Sequence, residues 1–441
     1  MAGRGNWGSK LGFVLAAAGS AVGLGNIWKF PYITGVYGGG AFVLVYLFFI
    51  LIVGLPIMLS ELIIGQKTHK DPVGAFKSLD GEKSPWQFAG WIGVASGFII
   101  LSFYSVVAGQ AMAYIFKSIS GFSGTAIEIR SQFTALKTSP SLSILWHVLF
   151  MGLTIGIVIG GVHKGIERWA KILMPSLVAI LLGLTIYGLF FIGGGSKALQ
   201  FLFKPDFSKL SSEAILSALG HAFFTLSLGM GAMITYGSYI GKKINLQKAA
   251  LTVVIMDTVI ALLAGITIFS LVFEYNTKID SGPGLIFETL PVLFEKTGPL
   301  ISVPFFLLLT FAALTSTISL LEVVVSYFID EKGWSRKKST LIMGGTIMLI
   351  GLLPAIDKIK IMFMGKQQSF FDIFDFISTN YMLPVGGLLI SLFVAWKMKE
   401  KLIVSDTFNK NMLIYSIWRI ILKFITPIAV TIIILHGLKL I

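Results

Sequence analysis

The sequence predicts an all-α membrane protein of eleven transmembrane helices, a five-plus-five inverted repeat with broken first and sixth helices. Three observations lead there. Of 441 residues, 55% are hydrophobic and only 13% charged, about half the charged share of soluble domains. Apolar runs of ~20 residues, enough to cross a bilayer, recur eleven times along the chain. The first and sixth runs carry glycine-rich interruptions, five spans apart, as in repeats that hold a site at their interface.

The runs fall at 11–36, 40–66, 88–116, 142–161, 166–192, 214–240, 248–274, 300–330, 339–356, 374–397 and 412–437. Residues 1–192 then make the first repeat and 193–397 the second, with 398–441 an added eleventh helix. The first run lacks a cleavage site and reads as a signal-anchor. Lys67, Lys70, Lys77 and Lys83 fill one loop, and Lys332, Arg336, Lys337 and Lys338 another on the same side. Positive loops face the cytoplasm, which predicts a plasma-membrane protein with a cytoplasmic N-terminus and, from the odd span count, an external C-terminus. The net charge of +14 belongs to these loops. No lysine-rich run interleaves with aromatics as nucleic-acid binding requires. Segments 118–141, 193–213, 275–299 and the shorter 356–370 read as ordered outer loops with short helices. Zero cysteines exclude disulfides, thiolate metal sites and cysteine catalysis. No span brings a nucleophile, a base and an orienting group together, so no enzyme is predicted.

The first interruption runs from Gly19 through Gly23, Gly25 and Asn26 to Pro31. Glycine costs about 1 kcal/mol and proline about 3 in a helix interior. Irregular backbone at membrane depth survives only where it is buried in protein or lines a cavity. Close helix packing by small residues accounts for residues 16–19 but leaves the Asn26 amide without a purpose. A break near residues 22–25 that offers backbone to ions and substrate accounts for both. In the sixth run, Thr225 and Ser227 precede Gly229 and Gly231. Half-helix ends offer carbonyls to cations and amides to anions, so two facing breaks suit a zwitterion. In the eighth run, Thr315 and Ser316 supply neutral oxygens for sodium, or simple interhelical hydrogen bonds. Charges inside spans are costly. Glu61 is expected to brace unwound backbone, Glu322 has no role beyond a structural partner, and His221 reads as a core hydrogen-bond donor. Gly165 and Pro175 bracket the cytoplasmic end of the fifth run, where local unwinding or a plain helix start with a kink are both readings.

The opening Trp7-Gly8-Ser9-Lys10-Leu11-Gly12-Phe13, the run from Ala18 through Gly19-Ser20-Ala21-Val22-Gly23-Leu24-Gly25-Asn26-Ile27-Trp28-Lys29-Phe30 to Pro31, and Gly38-Gly39-Gly40-Ala41-Phe42 resemble the neurotransmitter:sodium symporter family. So do Gly165-Ile166-Glu167-Arg168 and Phe224-Thr225-Leu226-Ser227-Leu228-Gly229. The likeness runs from Trp7 to the tenth span and suggests a bacterial member of eleven-span type.

The resemblance implies two sodium sites. One uses Ala21, Asn26, Thr225 and Asp257, and the other the carbonyls of Gly19, Val22 and Ala312 with the hydroxyls of Thr315 and Ser316. It implies that a substrate carboxylate meets the amides of Leu24 and Gly25 and the Tyr104 hydroxyl. The ammonium meets Ala21, Phe224, Thr225 and Ser227, while Ser20, Ile100, Phe224, Met230, Ser316 and Leu320 line the side-chain pocket. Arg4 and Asp330, with Ser238 and Tyr239, match an inner gate, and Lys29 with Asp375 an outer one. Lys29 replaces a usual arginine, Gln110 a usual tryptophan and Asp257 a usual asparagine. Chloride-dependent members bind that anion among positions matching Tyr46, His221, Thr225, Asp257 and Ala261. Ala261 stands where a chloride-coordinating serine is expected, and Asp257 can supply the negative charge instead, so no chloride is expected. Gly23 stands where monoamine carriers place an aspartate. The predicted function is sodium-coupled import of hydrophobic, chiefly aromatic, L-amino acids across the bilayer. The alternatives are a non-transporting receptor or channel on the same scaffold, or a symporter for small aliphatic amino acids.

Overall fold

The computed structural model describes residues 5–241, 244–277, 284–408 and 411–437. Among them nine helices are long and apolar enough to cross a membrane: Gly40–Thr68, Gln87–Ile119, Pro140–Ile159, Val162–Phe190, Leu246–Glu274, Pro299–Asp330, Arg336–Ala355, Phe370–Lys397 and Met412–Gly437. Each falls on a run expected from hydropathy. The first run is a bent pair, Lys10–Ala21 and Gly25–Val36, with its halves inclined at 50°. The sixth is two shorter helices, Ser212–Thr225 and Ala232–Ser238. The two runs with glycine breaks are thus the two that do not form one straight rod.

Burial grades the spans. The most apolar stretch of Pro299–Asp330 is 94% buried, whereas that of Met412–Gly437 is 22% buried. The eighth span is therefore axial and the last one peripheral, its flank carrying exposed Leu413, Ile417, Ile420, Phe424 and Ile428. Such a face is stable only against lipid or another apolar surface.

Three connecting segments carry the expected short helices: Ala126–Thr138, Gly195–Phe203 and Leu290–Thr297. Segment 356–370 instead forms a β-hairpin, Lys360–Phe363 paired antiparallel with Lys366–Ser369. Its turn puts Met364 and Gly365 at φ 48° and 78°, the two positive angles that a tight two-residue hairpin turn needs. In the fifth span a π-helical turn, Val162–Glu167, precedes a helix that stays wound through Pro175.

Candidate functional site

Both breaks are held open by specific bonds. In the first span the helix stops at Ala21, and Val22 adopts an extended conformation. The freed Gly23 amide donates to Asn26 Oδ1 (2.9 Å) and the Leu24 amide to the Tyr104 hydroxyl (2.8 Å). In the sixth span Ser227, Gly229 and Gly231 all have positive φ. A Cβ on Gly229 would lie 2.2 Å from the Leu383 carbonyl oxygen, so only glycine fits. Ser227 is a non-glycine residue in the left-handed region, a strain typical of functional positions. Its hydroxyl donates to the Ser20 carbonyl (2.8 Å), bridging the two breaks. Glu61, fully buried, accepts from the Gly229 amide (2.8 Å), the bracing expected of it.

Oxygen atoms gather at two places beside the breaks. At the first, Asp257 accepts from Asn26 Nδ2 (2.7 Å) and from the Thr225 hydroxyl (3.1 and 3.2 Å), with the Tyr46 hydroxyl at 3.5 Å. Asp257 and Asn26 are both fully buried. At the second, the Ser316 hydroxyl lies 3.2 Å from the Val22 carbonyl and 3.5 Å from that of Gly19. The Thr315 hydroxyl donates to the Ala312 carbonyl (3.0 Å). All donor atoms at the second place are neutral, and a hard monovalent cation accepts such oxygens. Asn26, Thr225 and Asp257 are thus adjacent in space, as are Gly19, Val22, Ala312, Thr315 and Ser316; Ala21 lines the cavity beside them.

Between them lies a small cavity of about 30 Å³. Ser20, Ala21, Gly25, Ile100, Tyr104, Phe224, Thr225, Ser227, Met230, Ser316 and Leu320 all line it, as the substrate set anticipates. Leu24 does not; it lines the next cavity, a vestibule of about 230 Å³ that shares Gly25, Tyr104 and Phe224 with the first. Those three residues form the partition. Gly23 and Ser319 also line the central cavity and are absent from the expected set. A Cβ on Gly23 would stand 2.6 Å from Ser316 Oγ and 2.7 Å from the Tyr104 hydroxyl. Ser319 Oγ accepts from Ser20 Oγ at 2.8 Å, and its place one turn beyond Ser316 was the available signal.

The gate positions fall at opposite ends of the bundle. Lys29 and Asp375 both line the vestibule, yet form no ion pair among the described residues. Lys29 Nζ sits 4.5 Å over the Phe224 ring, and Asp375 accepts from the Thr379 hydroxyl (3.2 Å). At the other end Trp7 Nε1 donates to the Tyr236 carbonyl (3.0 Å), and Glu167 accepts from the Gly8 amide (2.6 Å) and the Ser9 hydroxyl (2.9 Å). Asp330 accepts from the Asp71 amide (2.8 Å), and the Ser238 carbonyl accepts from His69 Nδ1 (2.9 Å). Arg4 lies outside the described residues. Glu322 gains a partner set the sequence did not suggest. Arg336 donates to both its carboxylate oxygens (2.7 and 2.8 Å), and the Tyr239 hydroxyl to one of them (2.5 Å).

One expectation fails. His221 donates no hydrogen bond among the described residues: both ring nitrogens are buried without a partner. Its ring packs between Tyr46 and Phe30, at 5.3 and 6.1 Å. Aromatic packing, not hydrogen bonding, holds it.

Among the described residues no three His, Asp or Glu side chains group to hold a metal ion. Paired helix breaks at mid-bundle, lined by hydroxyls and carbonyls, are the architecture of a secondary transporter. The chain belongs to the sodium:neurotransmitter symporter family, whose model matches residues 4–129 and 122–441, and it is a sodium-dependent transporter rather than an enzyme. A sodium-dependent transporter of Bacillus subtilis is 38% identical over 98% of this chain and 97% of its own length. One of Haemophilus influenzae is 33% identical over 99% and 98%. The crystal structure of MhsT in complex with L-phenylalanine matches with a TM-score of 0.91 and 45% identity, over 99% of this chain and 100% of that one.

Proposed function

We propose that this protein is a symporter that carries hydrophobic L-amino acids, aromatic ones first, inward with sodium. The observation that carries this reading is the junction of the two breaks. There the Ser227 hydroxyl reaches the Ser20 carbonyl, between two clusters of oxygen donors. Half-helix ends aim amides and carbonyls at a zwitterion between them. Asn26, Thr225, Asp257 and Ala21 hold one sodium, and Gly19, Val22, Ala312, Thr315 and Ser316 the other. The substrate carboxylate takes the Leu24 and Gly25 amides and the Tyr104 hydroxyl. It displaces the Tyr104–Leu24 bond to do so.

The size of the side chain follows from what can move. Met230 is flexible and repacks at small cost, and Ser20, Ser316 and Ser319 are small. The cavity widens when Phe224 and Met230 shift. Leucine is accepted second, because an apolar pocket separates neighbouring sizes by only ~1–3 kcal/mol. MhsT was crystallised with L-phenylalanine, in keeping with this order. The end that carries Trp7 faces the cytoplasm and the end that carries Lys29 the outside, with residues 1–192 and 193–397 as the two inverted halves.

Asp257 supplies the fixed negative charge that two cations beside a neutral zwitterion require in a low dielectric, and no chloride is needed. Gly23 leaves no room for a side-chain carboxylate, so the substrate brings its own.

Uptake into proteoliposomes under an inward sodium gradient tests the reading. Tyrosine, tryptophan and phenylalanine are expected to enter ahead of leucine, and glycine hardly at all. Tyramine is expected to compete far more weakly than tyrosine. Uptake independent of sodium, a preference for glycine, or equal competition by tyramine contradicts it.

A further inference from the structure

A cavity of about 540 Å³ lies at the start of the fifth span, Val162–Phe190, at the end of the bundle that carries Trp7. His163, Lys164, Glu167, Arg168, Lys171 and Ile172 line it. Lys164, Arg168 and Lys171 recur at the three- and four-residue spacing that gathers side chains on one helix face. Three permanent cations therefore stand over a single carboxylate.

That carboxylate is already committed. Glu167 is 1% exposed. It accepts from the Gly8 amide (2.6 Å), the Ser9 hydroxyl (2.9 Å) and Lys171 Nζ (2.6 Å), with His163 Nδ1 at 3.0 Å. Lys164 and Arg168 are exposed, and neither has an ion pair or hydrogen bond among the described residues. Two uncompensated cations facing one cavity suit an anion, and a guanidinium suits a phosphate best.

Water alone would serve such cations on a polar surface, but these border the bilayer. Ile172, which lines the cavity, is 49% exposed, and Trp169, next to Arg168, is 40% exposed. A tryptophan at the end of a span sits at headgroup depth. From Arg168 the outward face continues at helical spacing through Ile172 and Pro175 to exposed Leu182. At 1.5 Å per residue, Leu182 lies about 15 Å deeper than Ile172, the thickness of one leaflet. A basic pocket that runs into an apolar stripe of that length matches a lipid rather than a free anion. We propose that this cavity binds the headgroup phosphate of an anionic phospholipid, whose chain lies along Ile172 and Leu182. The lipid belongs to the inner leaflet, an assignment that rests on the proposed cytoplasmic orientation of the Trp7 end.

Titration of the purified full-length protein with dioleoyl-phosphatidylglycerol or dioleoyl-phosphatidylcholine, read by native mass spectrometry as the first lipid retained, tests this. Phosphatidylglycerol is expected to bind at least tenfold more tightly than phosphatidylcholine. Lys164→Gln or Arg168→Gln is expected to weaken phosphatidylglycerol about fivefold, and the two together about thirtyfold. Tyrosine binding is expected to survive in the double variant, which shows that it folds. Lys197→Gln with Lys204→Gln, in the loop at the other end, is expected to change nothing. Equal retention of the two lipids, or unchanged phosphatidylglycerol binding in the double variant, overturns the site. Displacement of the lipid by excess glycerol phosphate identifies a free anion as the ligand and overturns the lipid. The leaflet is read separately, from Lys10→Cys, which is expected to react with an impermeant maleimide only in permeabilised cells. Reaction in intact cells overturns the orientation and the inner-leaflet assignment, while the binding measurements judge the site itself.

Discussion

The two ends of the bundle are closed by different means. On the Trp7 side the chain is tied by charge-assisted bonds: Glu167 to the Gly8 amide, Arg336 across to Glu322, and Lys77 to Glu331. On the Lys29 side two cavities of about 230 and 390 Å³ open toward the breaks. The barrier to the central cavity there is the partition of Phe224, Tyr104 and Gly25. Bonds to ionised partners are roughly twice as strong as neutral ones, and an aromatic side chain turns at far smaller cost. A carrier that loads from one side and releases at the other needs this asymmetry in its loading state. One end must resist opening while the other yields to a ligand.

The largest effect is expected at Glu322, which is fully buried. Glu322→Gln leaves Arg336 with an uncompensated charge, and removing one partner of a buried pair costs about 3–5 kcal/mol. The chain has no cysteine, so a single Ser238→Cys reports access from the Trp7 side. Labelling of that cysteine is expected to speed up at least tenfold with Glu322→Gln, and uptake to fall. Unchanged labelling makes the pair a packing element and removes it from the seal.

A smaller effect is expected at the other end. Because Lys29 makes no ion pair among the described residues, Lys29→Gln is expected to lower tyrosine uptake by no more than about threefold, the scale of an exposed pair. A hundredfold loss shows that Lys29 and Asp375 meet during turnover, and the asymmetry is then a property of one state only.

The smallest effect concerns a buried carboxyl of the tied end. Burial and the neighbouring Asp330 push the Asp71 carboxyl up from 3.8 to about 7. The folded protein therefore holds this proton more tightly than the unfolded chain does. Stability falls as pH rises from about 4 through 7 on that account. Asp71 also caps the helix Pro72–Asp80 by accepting from the Val73 and Gly74 amides, and asparagine caps nearly as well. Asp71→Asn is expected to flatten the decline of Tm between pH 5 and pH 8 by a few degrees. An unaltered slope assigns the decline to other groups.

How much of this was legible from the sequence depends on whether a residue's role is local. The breaks were, because glycines, Asn26 and Pro31 within one apolar run have no economical helical reading. The spans were, since each needs only length and hydropathy. The Glu322–Arg336 pair was not: fourteen positions and a loop separate the two, and no helical spacing joins them. His221 was misread because a lone histidine in an apolar run carries no sign of what faces it. Here two aromatic rings do. The hairpin at 360–369 was hidden because Met364 is an unusual residue for a positive φ.

Asp257 carries the central claim, that a fixed carboxylate beside Asn26, Thr225 and Tyr46 makes sodium-coupled transport independent of chloride. The direct measurement is sodium-driven tyrosine uptake with gluconate in place of chloride, in the native protein and in Asp257→Asn. The account predicts a native rate indifferent to the exchange. It predicts that Asp257→Asn is inactive or recovers only when chloride is present. A native protein that stops transporting in gluconate contradicts it.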